Sequence, residues 1–178
     1  MAAARRFEEL LYLSSTKPER VILAGLAGGL NPDLRVGDVW AQGEVFAGVR
    51  RGVVFTADEI ADTSEKKCEL REKTGADGVD LETGPIAEVC QLKDIPFVSV
   101  RAISDTSAEN LPVPGNVLVH PVTMAPSTFG ICCCLISRPW KIPAFFRMVR
   151  NAISARDQLV DFLWKFLAPA KAPRREGF

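Results

Sequence analysis

Residues 75–111, GADGVDLETGPIAEVCQLKDIPFVSVRAISDTSAENL, contain the clearest secondary-structure pattern in the sequence. Its pattern predicts a strand that closes at Asp80-Leu81-Glu82, a helix over 86–93 and a second strand over 95–103. The second strand is an almost unbroken apolar run, which is typical of strands that are buried on both faces. A strand, a helix and a further strand in this order predict an α/β domain.

Acidic side chains stand just past the ends of both predicted strands, Glu82 after the first and Asp105 after the second. Open α/β sheets bind ligands in the crevice outside strand ends, so both carboxylates are expected to face one crevice. Plainer roles stay open: Asp105 as the cap of a turn, and Glu82 as an acid favoured at a helix N-terminus. Arg101 lies within the apolar strand and needs a partner, either a structural ion pair or a contact in the site.

Composition indicates a single globular domain of 178 residues with 22 basic and 22 acidic side chains, which favours no nucleic-acid partner. The charge is divided unevenly along the chain. Residues 1–137 carry 13 basic and 19 acidic side chains, whereas residues 138–178 carry 9 basic and 3 acidic ones. We therefore divide the chain into a domain over 1–137 and a basic amphipathic helical segment with its tail over 138–178.

The cysteines and the single histidine argue against a disulfide scaffold and against a zinc site. Five cysteines without framework spacing do not indicate a secreted disulfide scaffold, and His120 without any CxxC pair argues against a zinc site. The N-terminus lacks an apolar signal core, and the longest apolar run, 129–136, is too short to span a bilayer. A cytoplasmic location is the resulting expectation.

The remaining elements follow from periodicity and from turn residues. Thr63 is the expected N-cap of a charged helix that Gly75 ends. The other predictions are a helix over 2–15, a strand over 21–25, a glycine-rich turn over 25–32, strands within 39–49 and 52–56, a loop over 109–127, a helix over 140–167 with a break near 151–154, and a frayed tail over 168–178.

Three ordered motifs resemble the purine nucleoside phosphorylase and nucleosidase superfamily: AGLAGGLNPDLRVGD (24–38), VDLETGPIAEVC (79–90) and IPFVSVRAISDTS (95–107). The short connection between the first two motifs, and SRPWKIPAFFRMVRNA (137–152), are most similar to the hopanoid-associated nucleoside phosphorylase branch. The resemblance implies a three-layer α/β/α sandwich around a mixed central sheet. Since that fold normally begins with a glycine-bearing strand before its first helix, the chain is expected to lack the N-terminal part of the fold.

The resemblance also implies an activity, the cleavage of a purine N-glycosidic bond by phosphate or water, with an adenosyl compound such as an adenosyl hopanoid as substrate. No metal or organic cofactor is implied, and phosphate is a co-substrate only in the phosphorolysis alternative. By resemblance, Asp105 hydrogen-bonds purine N7 and assists its protonation, and Ser104 supports that aspartate. Glu82 binds the ribose hydroxyls, Leu81 contacts the sugar, and Arg101 lies near the same site. Ala27 and Gly28 line the region of the ribose and the nucleophile.

Leu26 stands where many relatives have Ser or Thr, and its side chain cannot donate a hydrogen bond to phosphate. Because the first strands are expected to be missing, the alternative is a non-catalytic fragment that binds nucleosides or depends on a partner chain. Because members of the superfamily commonly form oligomers, the resemblance implies a homodimer. The aromatic and basic residues of 138–178 predict either a peripheral contact with an anionic membrane or a helix packed on the domain or in a dimer interface.

Overall fold

The computed structural model describes residues 2–43, 49–119 and 127–167, and a five-stranded mixed sheet forms their centre. Its strands are β1 (Val21–Gly29), β2 (Val39–Gly43), β3 (Val54–Thr56), β4 (Gly78–Asp80) and β5 (Phe97–Asp105). The order across the sheet is β2-β5-β1-β4-β3. Pairing is parallel for β1 with β5 and for β3 with β4, and antiparallel for β2 with β5 and for β1 with β4.

Helices cover both faces of the sheet, which confirms the predicted three-layer α/β/α arrangement. They are α1 (Ala2–Leu13), α2 (Ser64–Thr74), α3 (Thr83–Leu92), α4 (Gly115–Leu118), α5 (Thr128–Ser137) and α6 (Ile142–Leu167), with a 3-10 turn at Pro139–Lys141. Helices α1 and α3 pack together with one face of the sheet, and α6 packs on the other.

Alternation along β5 explains why this strand is buried on both sides. Val98, Val100 and Ala102 pack in one apolar cluster with Ala155 and Leu159 of α6. The residues between them, Ser99 and Arg101, are turned toward the start of α3. Successive strand side chains point to opposite faces, so a strand between two helical layers buries apolar side chains on one side and networked polar ones on the other.

The caps of α2 are those that its sequence predicts. The Thr63 side chain accepts a hydrogen bond from the backbone N of Lys66 at 3.3 Å, and an N-cap of this kind stabilises a helix by about 1 kcal/mol. Gly75 ends the helix with φ of 67°, a left-handed conformation that a glycine adopts without steric cost.

Three local predictions are wrong. The glycine-rich segment does not turn at Gly25, because β1 continues to Gly29 beside β5. Helix α6 has no break near 151–154, since its hydrogen-bonded turns run unbroken to Leu167. Two helices were not predicted, α4 within the expected loop and α5 over the apolar run that follows. Residues 44–48 of the predicted strand region, His120 and the predicted tail lie outside the described residues.

Candidate functional site

A cavity of about 700 Å³ opens where β1 and β5 end and α3 begins. Its volume is in the range of sites for small organic ligands. All seven residues that the sequence suggested for a site line it: Ala27, Gly28, Leu81, Glu82, Arg101, Ser104 and Asp105.

The structure brings Glu82 and Asp105 to one cavity, but not through adjacent strands. Strands β4 and β5 are not neighbours, because β1 lies between them and runs antiparallel to β4. Gly28 of β1 is in register with Val79 on one side and with Asp105 on the other. The cavity therefore lies across the C-terminal half of β1, and the two carboxylates approach it from opposite sides of that strand.

Asp105 is held by a donor on each carboxylate oxygen. Ser104 Oγ lies 2.6 Å from Oδ1, and the Nζ of Lys67 donates to Oδ2 at 2.5 Å. The turn after β5 is capped by a different acid, since Glu109 accepts from the backbone N of Thr106 at 2.9 Å. A carboxylate has about four acceptor positions, so Asp105 keeps positions for a hydrogen bond from a ligand.

Glu82 occupies the N-cap position of α3, but its side chain makes no capping hydrogen bond. Asp80 caps the helix instead, because its carboxylate accepts hydrogen bonds from the backbone N and the Oγ1 of Thr83. Within the described ranges the Glu82 carboxylate is exposed and takes part in no hydrogen bond or ion pair of its own. It is therefore free to accept hydrogen bonds from a ligand in the cavity.

Arg101 is 2% exposed and makes the structural ion pair that its position in an apolar strand demands. Its Nη2 lies 2.6 Å from Asp80 Oδ2 and donates to Thr83 Oγ1 at 2.8 Å. Burial lowers the pKa of the guanidinium from its ordinary value, against the opposing effects of Asp80 and Glu82. Since Arg101 also lines the cavity, a ligand contact stays a prediction beside the ion pair.

Gly25 explains why β1 is rich in glycine without turning. A Cβ at this position would overlap Nη1 of Arg101, so any larger residue would require the guanidinium to shift from its place against the strand. Near the end of the strand, a Cβ on Gly28 would stand 3.4 Å from Asp105 Oδ2. Of these two glycines Gly25 marks a close approach of a side chain to the backbone of β1, whereas the Gly28 distance is an ordinary van der Waals contact.

The sequence did not point to two groups of residues at the site: Lys67, which donates to Asp105 without lining the cavity, and an apolar group that does line it. Lys67 was not singled out because α2, SEKKCELREKT, has no apolar stripe that would mark an inward position. The other group is apolar and comes from five segments: Ile60 and Ala61, Leu111, Leu118 and Val119, Ile131, and Phe145, Met148 and Ala152. The helical spacing of the last three was a signal that they share one face of α6.

Two further classes of site find no support in the part of the chain that the structure describes. No group of three His, Cys, Asp or Glu side chains in residues 2–43, 49–119 and 127–167 is placed to hold a metal ion. Over the same ranges, none of the helices combines the length and the apolar composition that crossing a bilayer requires.

Comparison with known proteins finds one family model and several named enzymes that resemble this chain. The model of the Phosphorylase superfamily matches residues 41–119. The 5'-methylthioadenosine/S-adenosylhomocysteine nucleosidase of Haemophilus influenzae (strain PittEE) is 28% identical over 59% of this chain and 63% of its own length. The enzyme of the same name from Glaesserella parasuis is 31% identical over 54% and 60%. The chain thus spans about three fifths of the length of the curated relatives it matches.

Solved structures show the same fold over more of the chain. CT263 (MTAN) of Chlamydia trachomatis, bound to adenine, superposes on 92% of this chain and 71% of its own with a TM-score of 0.57 at 12% identity. The 5'-methylthioadenosine/S-adenosylhomocysteine nucleosidase of Helicobacter pylori superposes on 91% and 74% with a TM-score of 0.55 at 16% identity. This chain is thus similar to the Phosphorylase superfamily over residues 41–119, and 5'-methylthioadenosine/S-adenosylhomocysteine nucleosidases are among the proteins that resemble it in sequence.

Proposed function

We propose that the protein cleaves the N-glycosidic bond between adenine and the ribose of an adenosyl compound. The observation that carries the proposal is the convergence of Asp105, Ser104 and Glu82 on one cavity, with the first carboxylate held by two donors and the second left exposed. The names of the relatives from Haemophilus influenzae and Glaesserella parasuis support adenosyl compounds as the substrate class.

The two carboxylates suit different parts of this reaction. Breaking the C1′–N9 bond builds positive charge on the ribose, as in other glycosyl transfers. The purine leaves readily once N7 carries a proton. Asp105 would transfer a proton to N7 and then accept the N7–H hydrogen bond, and a proton of the attacking water would replace the one that Asp105 gave up. Glu82 would accept hydrogen bonds from the ribose hydroxyls. When water is the nucleophile, the water oxygen bonds to C1′ as the C1′–N9 bond breaks. Adenine then leaves with one proton, and the ribose gains a hydroxyl group.

Water is the acceptor that we favour over phosphate. The relatives' names describe nucleosidases, and Leu26 lines the cavity with a side chain that has no hydrogen-bond donor for a phosphate oxygen. Phosphorolysis would need such donors from elsewhere in the site. A dependence of turnover on added phosphate separates the two reactions.

The apolar part of the cavity supports a substrate with a large apolar 5′ substituent, of which the side chain of an adenosyl hopanoid is one example. Phe145, Met148 and Ala152 of α6, with Ile131 of α5 and Val119, form a wall that has no charged group. Burying apolar area contributes about 25 cal/mol per Å², so extending the 5′ chain should tighten binding.

The direct test is adenine release by the 178-residue chain from adenosyl compounds with 5′ substituents of increasing length, with and without phosphate. We expect phosphate-independent release that favours the longer apolar substituents. No release, together with saturable binding of the same compounds in a titration, would instead support the non-catalytic nucleoside-binding alternative. Neither release nor binding would remove the proposal.

Replacing Glu82 by glutamine should mainly weaken substrate binding. The amide keeps the size of the side chain but loses the charge that strengthens hydrogen bonds from ribose hydroxyls, an effect of about 1.5–3 kcal/mol. We expect KM to rise about tenfold or more with a smaller change in kcat. Glu88→Gln, on the exposed side of the same helix, is the matched control. A fall in kcat at constant KM would contradict the assigned role.

A second part of the proposal is a membrane contact through the exposed side of α6. Ala155 and Leu159 bury one side of this helix against the sheet. A second apolar side stays exposed; its members are Phe146 (67%), Ile153 (45%), Val160 (54%), Trp164 (78%) and Leu167 (60%). The basic residues Arg147, Arg150 and Lys165 lie on the same helix. We propose that this side rests on an anionic membrane surface.

A flotation assay of the full chain with vesicles of neutral and anionic phospholipids at low salt tests this contact. We expect flotation with anionic vesicles that is reduced by salt and lost in Phe146→Ser/Trp164→Ser. Thr128→Ser, exposed on α5, is the control substitution. Absence of flotation overturns the membrane contact. If that same pair of substitutions then dissociates a dimer in sedimentation, a second copy of the chain covers this side of α6.

A further inference from the structure

We infer that Lys67 is a positioning residue for the reaction, one that fixes the orientation of the Asp105 carboxylate without contacting the substrate. The inference rests on the proposed function, in which Asp105 hydrogen-bonds N7 of the purine. It concerns a side chain that neither the motifs nor the apolar pattern of the sequence distinguishes from its neighbour Lys66.

The ammonium group of Lys67 is fully buried and fully used. The residue is 0% exposed, and its Nζ donates to Asp105 Oδ2 at 2.5 Å, to the carbonyl oxygen of Thr106 at 2.7 Å and to that of Glu109 at 2.9 Å. An ammonium has three donors, so the three acceptors satisfy it completely. A buried charge is tolerated only with such compensation, and the geometry around it is therefore narrowly defined.

The same contacts define the carboxylate. Lys67 occupies Oδ2 and Ser104 lies against Oδ1, so rotation about the Cβ–Cγ bond of Asp105 would break a hydrogen bond at each end. The two carbonyl contacts tie the segment after β5 to α2, which keeps Asp105 at the cavity wall. A carboxylate held in this way is oriented toward the purine before the ligand arrives, and misplacement by about 1 Å can slow a reaction on the order of 10²-fold.

A purely structural lysine and a positioning lysine predict different kinetics. A structural one would lower activity by the same factor whatever stands at residue 105. A positioning one matters only while residue 105 has a carboxylate to orient, so its removal should have little further effect once that carboxylate is gone.

The test is a double-variant cycle on adenine release by the full chain with Lys67→Met, Asp105→Asn and the two combined. We expect Lys67→Met to lower kcat on the order of 10²-fold with KM changed less than about threefold. In the Asp105→Asn background, the same substitution should change kcat by less than about threefold. Lys66→Met is the control; Lys66 is half-exposed and pairs with Asp62, and its loss should leave kcat within about twofold.

Equal effects of Lys67→Met in both backgrounds overturn the inference, as does a rise in KM with kcat unchanged. Circular dichroism and thermal melting establish that each variant is folded. If Lys67→Met does not fold, Lys67→Arg in the same cycle replaces it, since the guanidinium keeps the charge and donors but not their placement. An unmodified chain that releases no adenine refutes the proposed function itself, a result distinct from any of these.

Discussion

Substituting Asp105 by asparagine is expected to slow adenine release by a factor of roughly 10²–10⁴, the usual contribution of a positioned acid–base group. The amide has nearly the shape of the carboxylate, but one of its two ends is an NH₂ group. That end cannot accept from the Lys67 ammonium or from Ser104, and the uncharged amide is a weak acceptor for an N7–H donor.

Single-turnover adenine release is the measurement, because it separates bond cleavage from product release. The matched control is Asp94→Asn, the same chemical change at an exposed position that pairs only loosely with Lys17 at 3.9 Å. KM should change much less than kcat. Undiminished release by the Asp105 variant would remove Asp105 from the mechanism and leave the cavity without its proposed acid–base group.

Replacing Asp80 by alanine is expected to lower the free energy of unfolding by about 3–5 kcal/mol, the usual cost of breaking a buried ion pair from one side. The substitution leaves the Arg101 charge buried without its 2.6 Å partner. It also removes the acceptor for Thr56 Oγ1 and for the Thr83 hydroxyl. Arg101 has a buried Nε that already lacks a hydrogen-bond partner among the described residues, so it cannot compensate.

Urea denaturation of the single variants and of Asp80→Ala/Arg101→Met measures the effect. We expect the combined variant to be more stable than Asp80→Ala, because removing both charges leaves none unpaired in the interior. Asp33→Ala, an exposed acid near the end of β1, should change stability by less than about 0.5 kcal/mol. A combined variant that loses the sum of the two single effects would show that the charges are not coupled.

Local chemistry explains what could be predicted from the sequence. The fold class follows from the strand–helix–strand pattern of residues 75–111, and the caps of α2 follow from Thr63 and Gly75. The seven suggested site residues belong to three motifs that resemble a known superfamily, and the pairing of β1 with β4 and with β5 brings these motifs to one cavity. Their individual roles in binding and catalysis stay predictions.

Long-range pairing explains what could not be predicted. The place of β1 between β4 and β5 depends on contacts between segments far apart in the chain, and no local pattern encodes that order. Gly25 signals a turn when its neighbours alone are considered, and its reason appears only when Arg101 crosses the strand. Lys67 is one charged residue among many on a helix without an apolar stripe, so only the packed structure distinguishes it.

The central pair of strands also has a consequence for how the chain folds. Val21 at the start of β1 lies in register with Phe97 at the start of β5, although three other strands and two helices are encoded between them. Such non-local parallel pairing slows folding, because a long loop must close before its contacts stabilise anything. On the ribosome, β1 must wait for β5 to be synthesised. Its apolar edge is exposed during that interval, and we expect the yield of native protein to depend on chaperones or on low temperature.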